Sequence, residues 1–307
     1  PMRIFSGIQP TGRKHLGNYI GAIRQYVEGQ QRAADAGDVA IYCVVDLHAM
    51  TVPFDPADMR ERVYDTAAIL LAAGLDPERC IFIRQSDVPE HTELAWHLSA
   101  VCAHGDLNRM HQFKEKSAKQ RELASAALFF YPVLMAADVL AYRAKEVPVG
   151  DDQRQHVELM RDLAERFNSR FGETFVVPEI RTPPVGARIM DLQNPTSKMS
   201  TTGGTEEGTV YVLDDAKTTE KKIKRAVTDS DDPPRIVRSP EKPGVTNLIE
   251  ILAAARGVTP EQVERATLTR YRRGVEAREG RRFDTYADLW AWSVEDVARF
   301  WASIWDF

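Results

Sequence analysis

The chain has 307 residues, room for one α/β domain of ordinary size plus a smaller companion, and its 43% hydrophobic and 28% charged content argues against disorder. A net charge of −5 argues against a protein coated in positive charge, and three cysteines without a C-x-x-C spacing argue against a disulfide framework. Cys43, inside the apolar run Ala40–Val45, together with Cys80 and Cys102 reads as a set of reduced, mostly buried thiols of a cytoplasmic protein.

Short apolar runs at Arg3–Ser6, Ala40–Val45, Cys80–Arg84 and Glu146–Val149 predict strands. Helical patterns separate them at Asp58–Ala73, Thr92–Ala103, Ala124–Tyr142 and Gln153–Phe171, with Gly74 and Gly172 as terminators. Such alternation predicts an α/β fold: a Rossmann-like doubly wound parallel sheet with helices on both faces. Leu123–Tyr142 is almost membrane-spanning in length, but Pro132 and Asp138 favour a buried helix carrying a functional carboxylate. No leader pattern opens the chain, and the spacing of His91, His97, His104, His111 and Cys102 matches no metal-ligand pattern.

Between the first strand and a helix running from Tyr19 through Val27 lies Thr11-Gly12-Arg13-Lys14-His15-Leu16-Gly17-Asn18. Gly12 and Gly17 allow close backbone approach, Asn18 is placed to cap the helix, and exposed amides with the helix dipole favour a phosphate. Taken alone this segment reads equally well as a Gly-rich turn with a hydrogen-bonded histidine. Lys198-Met199-Ser200-Thr201-Thr202 supplies a second polar, Gly-flanked loop, and the pair together describes an ATP site. Helical stretches follow at Lys217–Thr228 and Val245–Arg256, so the second domain reads as smaller and mostly α-helical.

These two segments resemble the HIGH and KMSKS signatures of class I aminoacyl-tRNA synthetases. Phe5-Ser6-Gly7-Ile8-Gln9-Pro10-Thr11-Gly12, Phe113-Lys114-Glu115-Lys116-Ser117, Met135-Ala136-Ala137-Asp138, Val147-Pro148-Val149-Gly150-Asp151-Asp152-Gln153 and Gly186-Ala187-Arg188-Ile189-Met190 are similar to the tryptophanyl branch, from Met2 to about Ala266. The resemblance implies ATP-dependent activation of L-tryptophan and its transfer to tRNA(Trp), with Mg²⁺, by a cytoplasmic homodimer without membrane segments. The implied organisation is a catalytic domain over 1–192, a mobile loop over 193–208 and a tRNA-contacting helical domain over 209–307.

Tyr131, Met135 and Asp138 share one helical face, and Val147 and Val149 alternate on the next strand. Tyr131 and Met135 alone would read as core; Asp138 needs a partner that an indole N–H supplies. Resemblance adds Phe5, Gly7, His48 and Gln153 to the tryptophan pocket. It places Gln9, Pro10, Thr11, His15, Gly17 and Asn18 on the nucleotide, with Gly150, Asp151, Asp152 and Ile189 around ribose and base. The loop Lys198, Met199, Ser200, Thr201 and Thr202 completes that site. Lys198, Lys116, His15 and Thr11 are the candidate catalytic residues, the two lysines facing the leaving pyrophosphate. Asp151 and Asp152 read equally well as helix caps. Thr201 departs from the signature, which carries a second lysine there.

Basic clusters at Lys217, Lys221, Lys222, Lys224, Arg225 and at Arg270–Arg282 read first as solvated helix faces and second as RNA-facing patches. From about residue 267 the chain leaves the family pattern, and Asp288–Phe307 resembles the start of acetoacetyl-CoA synthetase. Val294, Val297, Ala298, Trp301, Ile304 and Trp305 form an apolar stripe expected to be buried against this chain or a partner. The alternative reading is therefore a truncated or hybrid relative that binds ATP and tryptophan without charging tRNA.

Overall fold

The computed structural model describes residues 1–110, 125–149, 153–181, 188–200, 203–230, 236–283 and 285–305. It divides into two compact units, one of Pro1–Lys14 with Asn18–Gly186, the other of His15–Gly17 with Ala187–Phe307.

The first unit is built on a five-stranded parallel sheet of order β3-β2-β1-β4-β5, from β1 (Arg3–Ile8), β2 (Val39–Val44), β3 (Ile81–Arg84), β4 (Glu146–Pro148) and β5 (Glu179–Arg181). Four of these match the predicted runs; β5 was not predicted, because three residues with a half-buried isoleucine between two exposed charges carry no periodic signal. Helices α1 (Arg24–Ala36), α2 (Asp46–Ala49), α3 (Pro56–Ala72), α4 (Glu90–Ser99), α5 (His104–Asn108), α6 (Ala126–Leu140) and α7 (Arg154–Phe171) complete it. The buried stripe of α6 packs with β1, β2 and α7 around Phe5, Ile41, Val133, Ala137, Met160 and Leu163. Ser125 caps α6 by accepting from Leu128 N (3.2 Å), which sets the start of the helix and hence the face on which Asp138 falls. Among the described residues no helix is long and apolar enough to cross a membrane.

Chain order reverses at β1, which pairs with β2 over Arg3–Ile8 but with β4 only at Ile4 and Glu146. Beyond that point the strand ends leave a crevice, the site where open α/β sheets bind ligands.

The second unit holds α8 (Ala216–Lys224), α9 (Pro243–Arg256), α10 (Pro260–Glu279), α11 (Tyr286–Glu295) and α12 (Val297–Trp305). Asp215, Thr259 and Thr285 cap three of them, the last two as capping boxes. Lys222, expected on a basic surface, is buried instead: its ammonium donates to Thr209 O and Asp214 Oδ2, each at 2.8 Å, and lies over the Tyr211 ring. Lys224 pairs with Glu220. The tail also differs from expectation. Leu289 and Trp292 join Tyr271, Val275 and Phe283 in a small core, with Phe300 packed against it, whereas Val294, Val297, Ala298, Trp301 and Ile304 stay exposed. A change of direction at Asp296, in extended conformation, separates α11 from α12 and breaks the single stripe that periodicity suggests.

Candidate active site

A cavity of about 350 Å³ opens at the sheet's reversal point, lined by Phe5, Gly7, Gln9, His48, Tyr131, Met135, Asp138, Val147, Val149 and Gln153. Every residue expected to touch tryptophan therefore lies on one wall or another of the same space, of a size suited to a small ligand. Gln153 stands just before α7 rather than within its first turn. A further wall, which the sequence did not indicate, comes from Gly21, Ala22, Gln25 and Tyr26. Gly21 and Ala22 sit in a π-helical turn, Tyr19–Ile23, that closes on the Arg24 N–H to Tyr19 O bond; this wider turn, common at functional sites, precedes α1. Tyr26 reaches back to donate to Gly7 O at 3.0 Å, tying that wall to β1. Asn18 lies inside this helical run with αR dihedrals and makes no capping bond, contrary to the expectation.

Asp138 is only 2% exposed, and it is not waiting for a partner as its apolar setting suggested. A carboxylate only accepts, so the donors around it are fixed: Gln85 Nε2 (2.7 Å) and His91 Nδ1 (2.6 Å) on Oδ1, His48 Nε2 (2.7 Å) on Oδ2. Burial alone would raise its pKa; the His48 and His91 contacts outweigh that and hold it below the usual carboxylate value. Gln85 and His91 are both fully buried; Gln85 carries no signal in the sequence, and His91 was weighed there only as a metal ligand, because neither residue type marks where its side chain points. Tyr131 OH meets His156 Nε2 at 2.8 Å, and burial pushes its phenol up to about 12, so it stays neutral.

The nucleotide candidates fall in both units. In the first, Pro10 is buried, and Lys14 pins the Gln9–Thr11 loop by donating to Gln9 O (2.7 Å) and Thr11 O (3.0 Å). Gly12 turns this loop with φ +63°, a conformation costly for any side chain. Burial, with Arg62 nearby, pushes the Lys14 amine from the usual 10.5 down to about 8. Because the folded chain releases this proton first, stability contributed here rises with pH between about 8 and 10.5. Lys14→Met is expected to abolish that alkaline rise, read from melting temperatures at pH 7, 9 and 10; an unchanged slope would refute the assignment.

In the second unit His15 bridges to Tyr211, Leu16 N donates to Val210 O (2.8 Å), and Gly17 lies beside the His15 ring and Ile189. Ile189 O accepts from Met199 N (3.0 Å) and Met190 bridges to Lys198, so Met199 is buried while the Lys198 side chain is exposed. Asp191, itself 1% exposed, anchors both ends of this loop: it accepts from Gln193 N (2.8 Å), Asn194 N (2.9 Å) and Thr205 N (3.0 Å). A Cβ at Gly208 would overlap the Asp191 carboxylate. Gly208→Ala should therefore destabilise the chain by about 1–3 kcal/mol and slow any reaction using Lys198; denaturant unfolding with unaltered midpoint would contradict this. Lys116, Gly150, Asp151, Asp152, Thr201 and Thr202 lie outside the described residues.

A broader surface depression on α1, about 810 Å³, is lined by charged groups that satisfy one another, Arg79 meeting Gln31 and Asp76, and offers no convergent site.

Comparison with known proteins identifies the family. A family model for class I tRNA synthetases (W and Y) matches residues 1–280, past the point near Ala266 where the resemblance fades. The chain is 54% identical over 270 residues to tryptophan–tRNA ligase 2 of Streptomyces avermitilis, covering 86% of this chain and 78% of that one. It superposes on the crystal structure of tryptophanyl-tRNA synthetase from Mycoplasma pneumoniae with TM-score 0.75 at 37% identity, covering 86% of this chain and 76% of that one. For the Campylobacter jejuni synthetase, in complex with ADP and tryptophan, the TM-score is 0.70 at 36% identity, with 86% and 78% covered. Matches of this identity across most of both chains place the protein in the class I tRNA synthetases of the tryptophan and tyrosine family, among its tryptophan–tRNA ligases.

Proposed function

We propose that the chain activates L-tryptophan with ATP, giving tryptophanyl-adenylate and pyrophosphate, and then transfers tryptophan to the terminal adenosine of tRNA(Trp). The observation that carries this reading is Asp138: a buried anion on the cavity wall with three donors on about four acceptor positions, leaving one for an indole N–H. Phe5, Val147, Val149 and Met135 offer the ring apolar contact, and Tyr131 and Gln153 line the same cavity.

Activation joins the tryptophan carboxylate oxygen to the α-phosphorus as the bond to pyrophosphate breaks. The carboxylate is already ionised at neutral pH, so no general base is required and rate comes from alignment and charge stabilisation. Gln9, Pro10, Thr11, His15, Gly17 and Asn18 are assigned to ATP, with Gly150, Asp151, Asp152 and Ile189 around ribose and base. Lys198 and Lys116 are assigned to the leaving phosphates, and Met199, Ser200, Thr201 and Thr202 to the rest of the ATP site. Among the described residues no three His, Cys, Asp or Glu side chains converge on a metal position; Mg²⁺ enters the proposal only as the ion carried by the nucleotide, and no step is routed through it.

By family, the proposed organisation is a catalytic domain over 1–192, a loop over 193–208 and an RNA-contacting domain over 209–307 in a cytoplasmic homodimer. The reading as a relative unable to charge tRNA is not favoured, because the family match runs through residue 280 and the identity to tryptophan–tRNA ligases is 54%. Tryptophan-dependent ATP–pyrophosphate exchange and tRNA charging measured on one preparation test both: the proposal expects both activities, and exchange without charging would revive the alternative.

A further inference from the structure

We propose that Gln85 and His91 are positioning residues for amino-acid selectivity: they fix Asp138 so that one acceptor direction on Oδ2 faces the cavity, and only a ring bearing an N–H can fill it. The inference rests on the reading that the indole binds beside Asp138, and it concerns two residues that do not themselves line the cavity.

Gln85 ends the β3 connection as the first residue of the 3-10 turn Gln85–Asp87, and His91 follows in the first turn of α4. One short segment thus delivers both donors to the same oxygen, Oδ1, at 2.7 Å and 2.6 Å. Each donor is fixed from behind. Gln85 Oε1 accepts from Leu47 N (3.0 Å), which orients the amide so that its N–H₂ points at Asp138. His91 Nε2 meets Tyr142 OH (2.8 Å), and Tyr142 stacks on Phe5, a cavity-wall residue, with 5.6 Å between ring centres. With both positions on Oδ1 taken and His48 on Oδ2, the carboxylate can neither rotate nor spare a second acceptor. An acid buried without these donors would protonate, and a neutral acid donates as well as accepts, so it would tolerate rings that lack an N–H.

The groups facing Asp138 are His48 on α2, His91 on α4, Tyr142 after α6 and Cys43 on β2, with Tyr131 edge-on to His48. Burial raises the Tyr142 phenol to about 12 and raises the Cys43 thiol, so neither adds negative charge near neutral pH.

The test compares L-tryptophan with β-(3-benzothienyl)-L-alanine, in which sulfur replaces the indole N–H, in ATP–pyrophosphate exchange. The unsubstituted protein should prefer tryptophan in kcat/KM by roughly 10⁴. Gln85→Met and His91→Phe should each cut that preference at least tenfold, mainly through the KM for tryptophan, while His91→Gln, which keeps an N–H donor, retains most of it. An unsubstituted protein that uses both substrates equally would refute indole recognition by Asp138 itself. Normal discrimination that survives in both variants, or activity on both substrates lost in proportion, would overturn only the positioning role. Should neither variant fold, the preference of the unsubstituted protein must stay flat from pH 8 to 5.5; its loss above pH 5.5 would show an unsupported acid and overturn the proposal.

Discussion

Asp138→Ala is expected to lower kcat/KM for tryptophan by roughly 10⁴, with the loss in the KM for tryptophan and little change in the KM for ATP. The magnitude follows from what the substitution removes. An indole N–H would lose its acceptor in the cavity, and Gln85, His48 and His91 would lose theirs in the same stroke. Each orphaned donor costs about 1–3 kcal/mol, so the melting temperature should fall as well. Asp138→Asn separates the two effects, since its amide oxygen still accepts while its N–H₂ group opposes a donor.

The acid's depressed pKa adds a pH signature. Its stabilising contribution is fully present above the ordinary carboxylate pKa of about 3.9 and is lost as pH falls through the lower folded value. The stability gap between the unsubstituted protein and Asp138→Asn should therefore close below about pH 4. Unaltered tryptophan kinetics in Asp138→Ala, measured by exchange at saturating ATP, would end the assignment of the cavity to tryptophan.

Lys198→Ala is expected to slow ATP–pyrophosphate exchange by about 10²–10³, the cost of removing one preorganised charge from a site of developing negative charge. Local structure supports the expectation. Met190 and Ile189 hold the backbone on either side, Met199 is buried as an anchor, and the lysine is left exposed with no acid paired to it among the described residues. Thr201 stands where the signature has a second lysine, which concentrates the demand for charge on Lys198 and Lys116. Exchange near the unsubstituted rate in a folded Lys198→Ala protein would mean that the leaving pyrophosphate is stabilised elsewhere.

The sequence by itself determined the parallel sheet, most helices and one wall of the cavity, because each rests on short-range pattern. Short apolar runs such as Ala40–Val45, set between longer helical patterns, read as buried strands, and Tyr131, Met135 and Asp138 share a face in any helix. Tertiary structure decided the rest. β5 exists because β4 offers its free edge to three residues that carry no signal of their own. The exposed stripe in the tail shows that periodicity names an apolar face without naming its cover: α10 packs against Leu289 and Trp292, and a break at Asp296 turns the other face outward. The state of Asp138 was the largest gap, since its donors stand 90, 53 and 47 positions away in the chain and converge only when α2, the turn after β3, α4 and α6 close around one oxygen pair. A hydrogen bond depends on distance and direction in space, and sequence separation carries neither.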